Sequence, residues 1–283
     1  MATERKDGWI DAHVHVWPPD TQRYPLDKDY RVDEMKPKSF TPEELFVHTR
    51  PSGVARIVLI QMSFYRYDNA YMLDTIARYP GVFSGVGIVD TNSPELAVRM
   101  KALAEGGVRG FRVTTRGNQS SKWLTEDGMS VLWSTAARKN LAVCPLINPA
   151  DIPIVDELCR RHPDTTVVVD HFARVGMGGL QAASLEALCQ LARHPKVHVK
   201  TSAFYAVGGP IPYDASLPML RRVIEAFGPQ RLMWASDCPF QVEPPHTYDL
   251  SLAMIRDRLA DLSDSDKAWI LRGTADKVFF SPR

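Results

Sequence analysis

Asp11-Ala12-His13-Val14-His15-Val16-Trp17-Pro18 decides how this chain is read. From Ile10 to Val16 polar and apolar side chains alternate, which is the period of a β-strand whose two faces meet different surroundings. The alternation predicts that Asp11, His13 and His15 share one face and Ala12, Val14 and Val16 the other. Two histidines so spaced lie roughly 6–7 Å apart at Cα. Their imidazoles can therefore converge on one divalent ion at about 2.0–2.1 Å. Trp17-Pro18-Pro19 ends the strand, so the pair sits at its carboxyl end, where parallel α/β folds form their ligand sites. Taken alone, such a pair also describes half-buried strand histidines bonded to a carbonyl or a carboxylate. The rest of the chain has to decide.

Outward from this strand, apolar β-branched runs recur at 55–62, 84–90, 109–114, 141–147, 165–170, 196–202 and 231–236, making eight with the first. Between them lie helical periodicities at 69–79, 94–104, 129–139, 152–161, 180–192 and 217–227. Thr41-Pro42-Glu43-Glu44 is a capping box with proline at the first helical position, so a helix starts there. Ser263 to Asp266 opens the last helix, through Trp269, Ile270 and Leu271. Eight β-then-α units without a composition break predict one (β/α)8 TIM barrel over residues 1–283. An open doubly wound sheet is the runner-up. It often carries a Gly-rich loop after the first strand, where this chain has Trp-Pro-Pro.

Composition narrows the function classes. A hydrophobic fraction of 45% and a charged fraction of 24% are those of an ordinary globular protein. A net charge of +1 gives no reason to expect nucleic acid or an anionic membrane as partner. Met1 to Gly8 is short and polar, so no signal peptide is expected, and Cys144, Cys159, Cys189 and Cys238 lack disulfide-scaffold spacing. A cytoplasmic protein with reduced thiols is the expectation. Neither G-x-x-x-x-G-K-[ST] nor G-x-S-x-G occurs, which removes the usual NTPase and nucleophile-elbow chemistries.

In a barrel, the loops after the strand ends share one face. The sixth strand delivers His171 there and the eighth delivers Asp237, so with His13 and His15 three imidazoles and a carboxylate meet on one rim. That set can hold a divalent cation or activate water without one. With these residues in place the chain resembles the amidohydrolase superfamily, in the branch that holds lactonases and nonoxidative decarboxylases. The resemblance is carried by Ile10–Trp17, Val167–His171, Val197–Ser202, Leu232–Pro239 and Ile270–Phe279, and so spans the whole chain. It departs in the tail, where Gly273-Thr274-Ala275 replaces the frequent Gly-Asn-Ala. The resemblance matches His13 and His15 to the first-strand pair, His171 to the later-strand histidine and Asp237 to the last-strand aspartate. It implies zinc or manganese in some members and a metal-independent reaction in others.

Asp237 is the expected general base, taking a proton from water that attacks an acyl carbon. With a metal, His13, His15, His171 and Asp237 are the expected ligands. Without one, the histidines become donors to the developing oxyanion. Arg112, at the end of the fourth strand, and Arg116, in its loop, suit a carboxylate-bearing small-molecule substrate. Tyr65 (with Tyr67), Trp17 and Tyr205 are the aromatic candidates for walling a planar or sugar-like ring. Lys200 is expected as an inner-barrel ion-pair partner, His198 as structural and Cys238 as a thiol turned away from the site. His246 is within reach of the site but without a role, and His48, His162 and His194 look solvent-facing. The reaction expected is opening of a small lactone or related cyclic ester. Metal-dependent decarboxylation and C–N hydrolysis are alternatives, and a silent binding barrel is the remotest. Barrels of this kind also often form homo-oligomers.

Overall fold

The computed structural model describes residues 8–115 and 120–281. Eight strands run β1 Trp9–Val14, β2 Val54–Ile60, β3 Phe83–Gly87, β4 Val108–Thr114, β5 Ala142–Leu146, β6 Thr166–Val169, β7 Val197–Thr201 and β8 Leu232–Trp234. They pair in sequence order, all parallel. The ring closes just past β8, where Asp237 N–H donates to the His13 carbonyl at 2.9 Å and His15 N–H to the Cys238 carbonyl at 2.8 Å. Closure is thus made by the backbone of the very residues that carry the candidate chemistry.

Side chains inside the barrel form a layer distinct from the strand–helix core. Ile10, Ala12, Val58, Ile60, Val86 and Val168 are among those that face the axis. Ile57, Leu59, Val143 and Val199 face the outer helices. Those helices form where periodicity predicts them; Ile152–Arg161 and Leu217–Phe227 coincide with the expected limits. Thr41 caps Pro42–Thr49 as its box predicts, with Glu44 Oε2 accepting from Thr41 N–H at 2.6 Å. One crossover helix, Tyr248–Arg256, goes unread in the sequence, and Thr247 Oγ1 caps it by accepting from Leu250 N–H. The last helix is broken by a π turn at Trp269–Gly273, after which Ala275 and Phe279 plug the barrel interior. Among the described residues no helix is long and apolar enough to cross a membrane.

The first strand departs from strict alternation. Asp11 is opposite Ile57 and Val14 is opposite Leu59, so three steps on β1 face two on β2. That is a β-bulge, and it re-aims the side chains beyond it. Asp11 therefore does not share a face with His13 and His15. It points outward, where Tyr248 O–H donates to its Oδ2 at 2.8 Å and Ser236 N–H to its Oδ1 at 2.9 Å.

The start of helix Asp127–Arg138 packs so closely on the β3 loop that a Cβ on Gly128 would fall inside the Thr91 carbonyl group. Both atoms belong to backbone and neither can swing aside. Gly128→Ala is expected to destabilise the fold by about 1–3 kcal/mol, as overpacking does. Urea unfolding of the variant checks this.

Candidate active site

His13 lies at the end of β1 and His15 just beyond it, with their Nε2 atoms 3.2 Å apart. Each lies 3.4 Å from Asp237 Oδ1. His15 Nδ1 is 2.8 Å from the Ile60 carbonyl, which can only accept, so Nδ1 carries the proton and Nε2 is bare. The ammonium of Lys200 can only donate, and its Nζ lies 3.2 Å from His13 Nδ1. In that arrangement the neutral His13 ring holds its proton on Nε2, facing His15. Asp170 Oδ1, 3.4 Å from His13 Nδ1, offers the alternative acceptor that would free Nε2.

His171 follows β6, and its direction depends on backbone rather than alternation. His171, Phe172, Ala173 and Arg174 all have φ between 50° and 56°. Left-handed non-glycine residues cost about 1–3 kcal/mol each and concentrate at functional sites. Here Phe172 and Ala173 are fully buried, Phe172 lies edge-on to Phe204, and this packing holds the run in place. The result is that consecutive residues Asp170 and His171 both serve the site. His171 Nδ1 meets Ser202 Oγ at 2.8 Å, and Nε2 is 3.7 Å from Asp237 Oδ2. Asp237 itself has φ 69°. Its Oδ2 accepts from Tyr205 O–H at 2.7 Å, whereas Oδ1 is buried with no hydrogen-bond donor among the described residues.

Electrostatics follow from this crowding. Burial alone would raise the Asp237 carboxyl, but His171, His15 and His13 hold it well below the carboxylate range. Burial and the Lys200 charge push His13 well below its ordinary value, against Asp170. His171 is lowered by burial, against Asp237 and Asp170. The site therefore presents an ionised carboxylate beside two imidazoles, His13 and His171, that favour their neutral form. Beneath it, Asp170 pairs with Lys200 at 2.9 Å and approaches Arg112 Nε at 3.4 Å, all three being buried. The ion pair expected of Lys200 forms here.

A divalent metal is tested by these atoms. One ligand atom each from His13, His171 and Asp237 lies within 4.8 Å of the others. His15 adds a bare Nε2 facing an Asp237 oxygen that lacks a donor. Two acceptors so placed need a cation or a proton between them, and nitrogen and oxygen donors of this kind suit zinc or manganese. The residues fit.

Other expectations are redistributed. Tyr205 reaches the site, though as a donor to Asp237. Trp17 does not wall a pocket: it is fully buried, edge-on to Phe64, and bonds the Pro37 carbonyl through Nε1 at 3.0 Å. The bulk of the β1 loop covers it. Tyr65 is buried, its hydroxyl without a hydrogen-bond partner among the described residues, and burial with its neighbours Tyr71, Asp68 and Tyr24 raises its phenol. Arg112 already has Asp170 as counter-charge. Arg116 lies outside the described residues. His198 is structural, bonded to the Lys196 carbonyl and pushed down to about 4 by burial. Cys238 is buried away from the site, its thiol raised first by burial. His246 Nδ1 meets Tyr213 O–H at 2.7 Å. His48, His162 and His194 are half-buried rather than solvent-facing: His48 stacks on Phe40, His162 lies against Trp133 and His194 pairs with Asp156. Sequence reasoning missed Asp170 and Ser202. The signal for Asp170 is a carboxylate ending a Val-Val-Val strand, which has to find a buried cation.

Behind the site, burial pushes Asp11 up to about 6 from 3.8, against its hydrogen bonds from Ser236, Tyr248 and His13. The folded chain therefore keeps this proton to higher pH than the unfolded chain. Stability from this group is full below about pH 3.8 and falls as pH rises through about 6. Asp11→Asn is expected to remove that loss, worth roughly 2–3 kcal/mol at neutral pH. Unfolding free energies of both proteins between pH 4 and pH 8 check it; parallel curves would refute it.

Comparison with known proteins shows the family of the chain. The amidohydrolase family model matches residues 10–280. An L-fucono-1,5-lactonase of Burkholderia ambifaria is 31% identical over 242 residues, 81% of this chain and 80% of that relative. A Pseudomonas putida structure assigned as a 2-pyrone-4,6-dicarboxylic acid hydrolase superposes with a TM-score of 0.82 at 24% identity, covering 96% of this chain and 97% of that one. An amidohydrolase of Burkholderia multivorans, solved with bound zinc, gives a TM-score of 0.80 at 22% identity, covering 97% and 99%. From its first strand to its last helix, this chain belongs to the amidohydrolase family and is a hydrolase of that superfamily.

Proposed function

We propose that the chain hydrolyses a small lactone, with Asp237 as general base. One observation carries the mechanism: Tyr205 holds Asp237 Oδ2, while buried Oδ1 faces the imidazoles with no donor of its own among the described residues. That oxygen is free to accept a proton from water as the water attacks the lactone carbonyl. The same proton is then returned to the ring oxygen as the acyl C–O bond breaks, giving a hydroxy acid. The bare Nε2 of His15 fixes the attacking water by accepting its second hydrogen. Tyr205 keeps the carboxylate from rotating, and Ser202 keeps His171 facing it. A divalent ion held by His13, His15, His171 and Asp237 would polarise the carbonyl and lower the pKa of water.

The lactone substrate is supported by the relation to the Burkholderia ambifaria fuconolactonase, whose 31% identity extends over four-fifths of both chains. The test is a panel of sugar lactones and 2-pyrones followed in a pH-stat. One acid equivalent per turnover without CO₂ is expected. Release of CO₂ from aromatic carboxylates, with every lactone left intact, would replace this reading by decarboxylation.

A further inference from the structure

His246 stands in the loop between β8 and the helix Tyr248–Arg256, and takes no part in the steps assigned to Asp237, His15 and Tyr205. Its surroundings fix which ring nitrogen holds its proton. The Thr247 carbonyl can only accept, so the Gln241 side-chain atom 3.0 Å from it is the amide nitrogen. That nitrogen also donates to Tyr213 Oη at 3.1 Å. Tyr213 is fully buried, and this oxygen, already an acceptor, lies 2.7 Å from His246 Nδ1. The phenol proton has no other acceptor among the described residues, so O–H donates to Nδ1 and the imidazole proton sits on Nε2. Gln241 keeps its orientation although Oε1 is buried without a partner among the described residues. The opposite orientation would set that oxygen against the Thr247 carbonyl.

Nε2–H itself meets no acceptor among the described residues, and His246 is only half-buried. Its ring stacks on Tyr213, with centroids 5.8 Å apart and planes at 22°, and lies 6.1 Å from Tyr205. Tyr205 donates to Asp237 at 2.7 Å and packs on Phe240 at 6.4 Å, and Phe240 packs on His15 at 5.9 Å. These rings form one wall that runs outward from the reacting carboxylate. His246 is one phenol removed from Asp237 along it. The donor is uncharged, and Glu243, an exposed carboxylate, belongs to the same turn, its carbonyl accepting from His246 N–H at 3.0 Å. A neutral oxygen suits that setting better than an anion.

We infer that His246 binds a hydroxyl of the substrate through Nε2–H, and so favours hydroxylated lactone rings over unsubstituted ones. The inference rests on the lactone reading for the reaction and not for the hydroxyl contact. His246 sets specificity and performs no bond-breaking step.

The experiment compares D-glucono-1,5-lactone with δ-valerolactone, the same ring with and without hydroxyl groups, after subtraction of spontaneous opening. The kcat/KM ratio of the first to the second is expected to fall about three- to tenfold in His246→Phe, the worth of one neutral hydrogen bond. The loss is expected in KM. Phenylalanine keeps the stack on Tyr213 and removes the donor. The double variant His246→Phe/Tyr213→Phe, which also removes the phenol O–H left without an acceptor, is expected to show the same fall. Circular dichroism verifies both folds. A merely structural His246 would lower both substrates alike, and an unchanged ratio in either folded variant overturns the proposal. If the unmodified protein opens neither ring, calorimetric titration with D-glucono-1,5-lactam separates the two claims. Binding that weakens about three- to tenfold in His246→Phe keeps the hydroxyl contact while the lactone reading falls. Equal affinity, or no binding to the unmodified protein, removes the contact itself.

Discussion

Asp237→Asn is expected to lower kcat/KM for the best lactone by about 10²–10⁴-fold while the protein still folds. The replacement is nearly isosteric, so backbone closure through Asp237 N–H and the His13 carbonyl survives. Tyr205 O–H keeps an acceptor in the amide oxygen. What changes is the second atom. In the native site Oδ1 accepts from none of the described residues and lies 3.4 Å from both His13 and His15 Nε2. An amide nitrogen there would donate to the bare Nε2 of His15 and fill the site with a hydrogen bond that needs no water. The base is lost and the position of the attacking water with it. Tyr205→Phe gives the contrast. It leaves the carboxylate ionised and only frees it to rotate, so a loss nearer tenfold is expected, in kcat more than in KM. Equal losses in both variants, or retained activity in Asp237→Asn, would move the proton-accepting role to an imidazole. Steady-state kinetics with circular dichroism as the folding control decide it.

The barrel was legible because each of its strands is a short apolar run followed by a helical period, and that pattern survives without any knowledge of packing. His13, His15, His171 and Asp237 were legible as a set because each sits at the carboxyl end of such a run, which fixes one rim in common. Their orientations were not. Strict alternation puts Asp11 beside His13, and the bulge between Asp11 and Val14 sends it to Tyr248 instead. Alternation also forbids Asp170 and His171 from serving one site, and the left-handed backbone from His171 to Arg174 permits it. No glycine announces either departure, since both are imposed by tertiary packing around non-glycine residues. Aromatics at the loop starts were equally ambiguous. Trp17 became core and Tyr205 became a donor, because the loops after β1 and β2, which bury Trp17 against Phe40 and Phe64, leave no periodic trace.

The charge group under the site has the most to lose in stability. Asp170 is the only anion in contact with Lys200 and Arg112 among the described residues, and all three are buried. Burial raises its carboxyl, but Lys200, His13 and Arg112 outweigh that and hold it well below the carboxylate range. Asp170→Asn would leave two like charges in the barrel interior without a counter-ion, and breaking a buried pair in this way costs about 3–5 kcal/mol. Lys200→Met is expected to cost less, because Asp170 keeps Arg112 at 3.4 Å and the two charges still balance. The double variant Asp170→Asn/Lys200→Met is therefore expected to be more stable than Asp170→Asn alone, a coupling that two independent contacts would not show. Urea unfolding of the unmodified protein and the three variants measures it. The order has a catalytic counterpart. His13 Nδ1 lies between Lys200 at 3.2 Å and Asp170 at 3.4 Å, so this pair decides whether Nε2, the ring nitrogen that faces Asp237, carries the proton or a lone pair. With Lys200 replaced, Nδ1–H can donate to Asp170 and Nε2 is left bare, so bound zinc after dialysis is expected to rise or hold in Lys200→Met and to fall in Asp170→Asn. Equal zinc in both variants would mean that Lys200 and Asp170 serve the fold and leave the tautomer of His13 to the site itself.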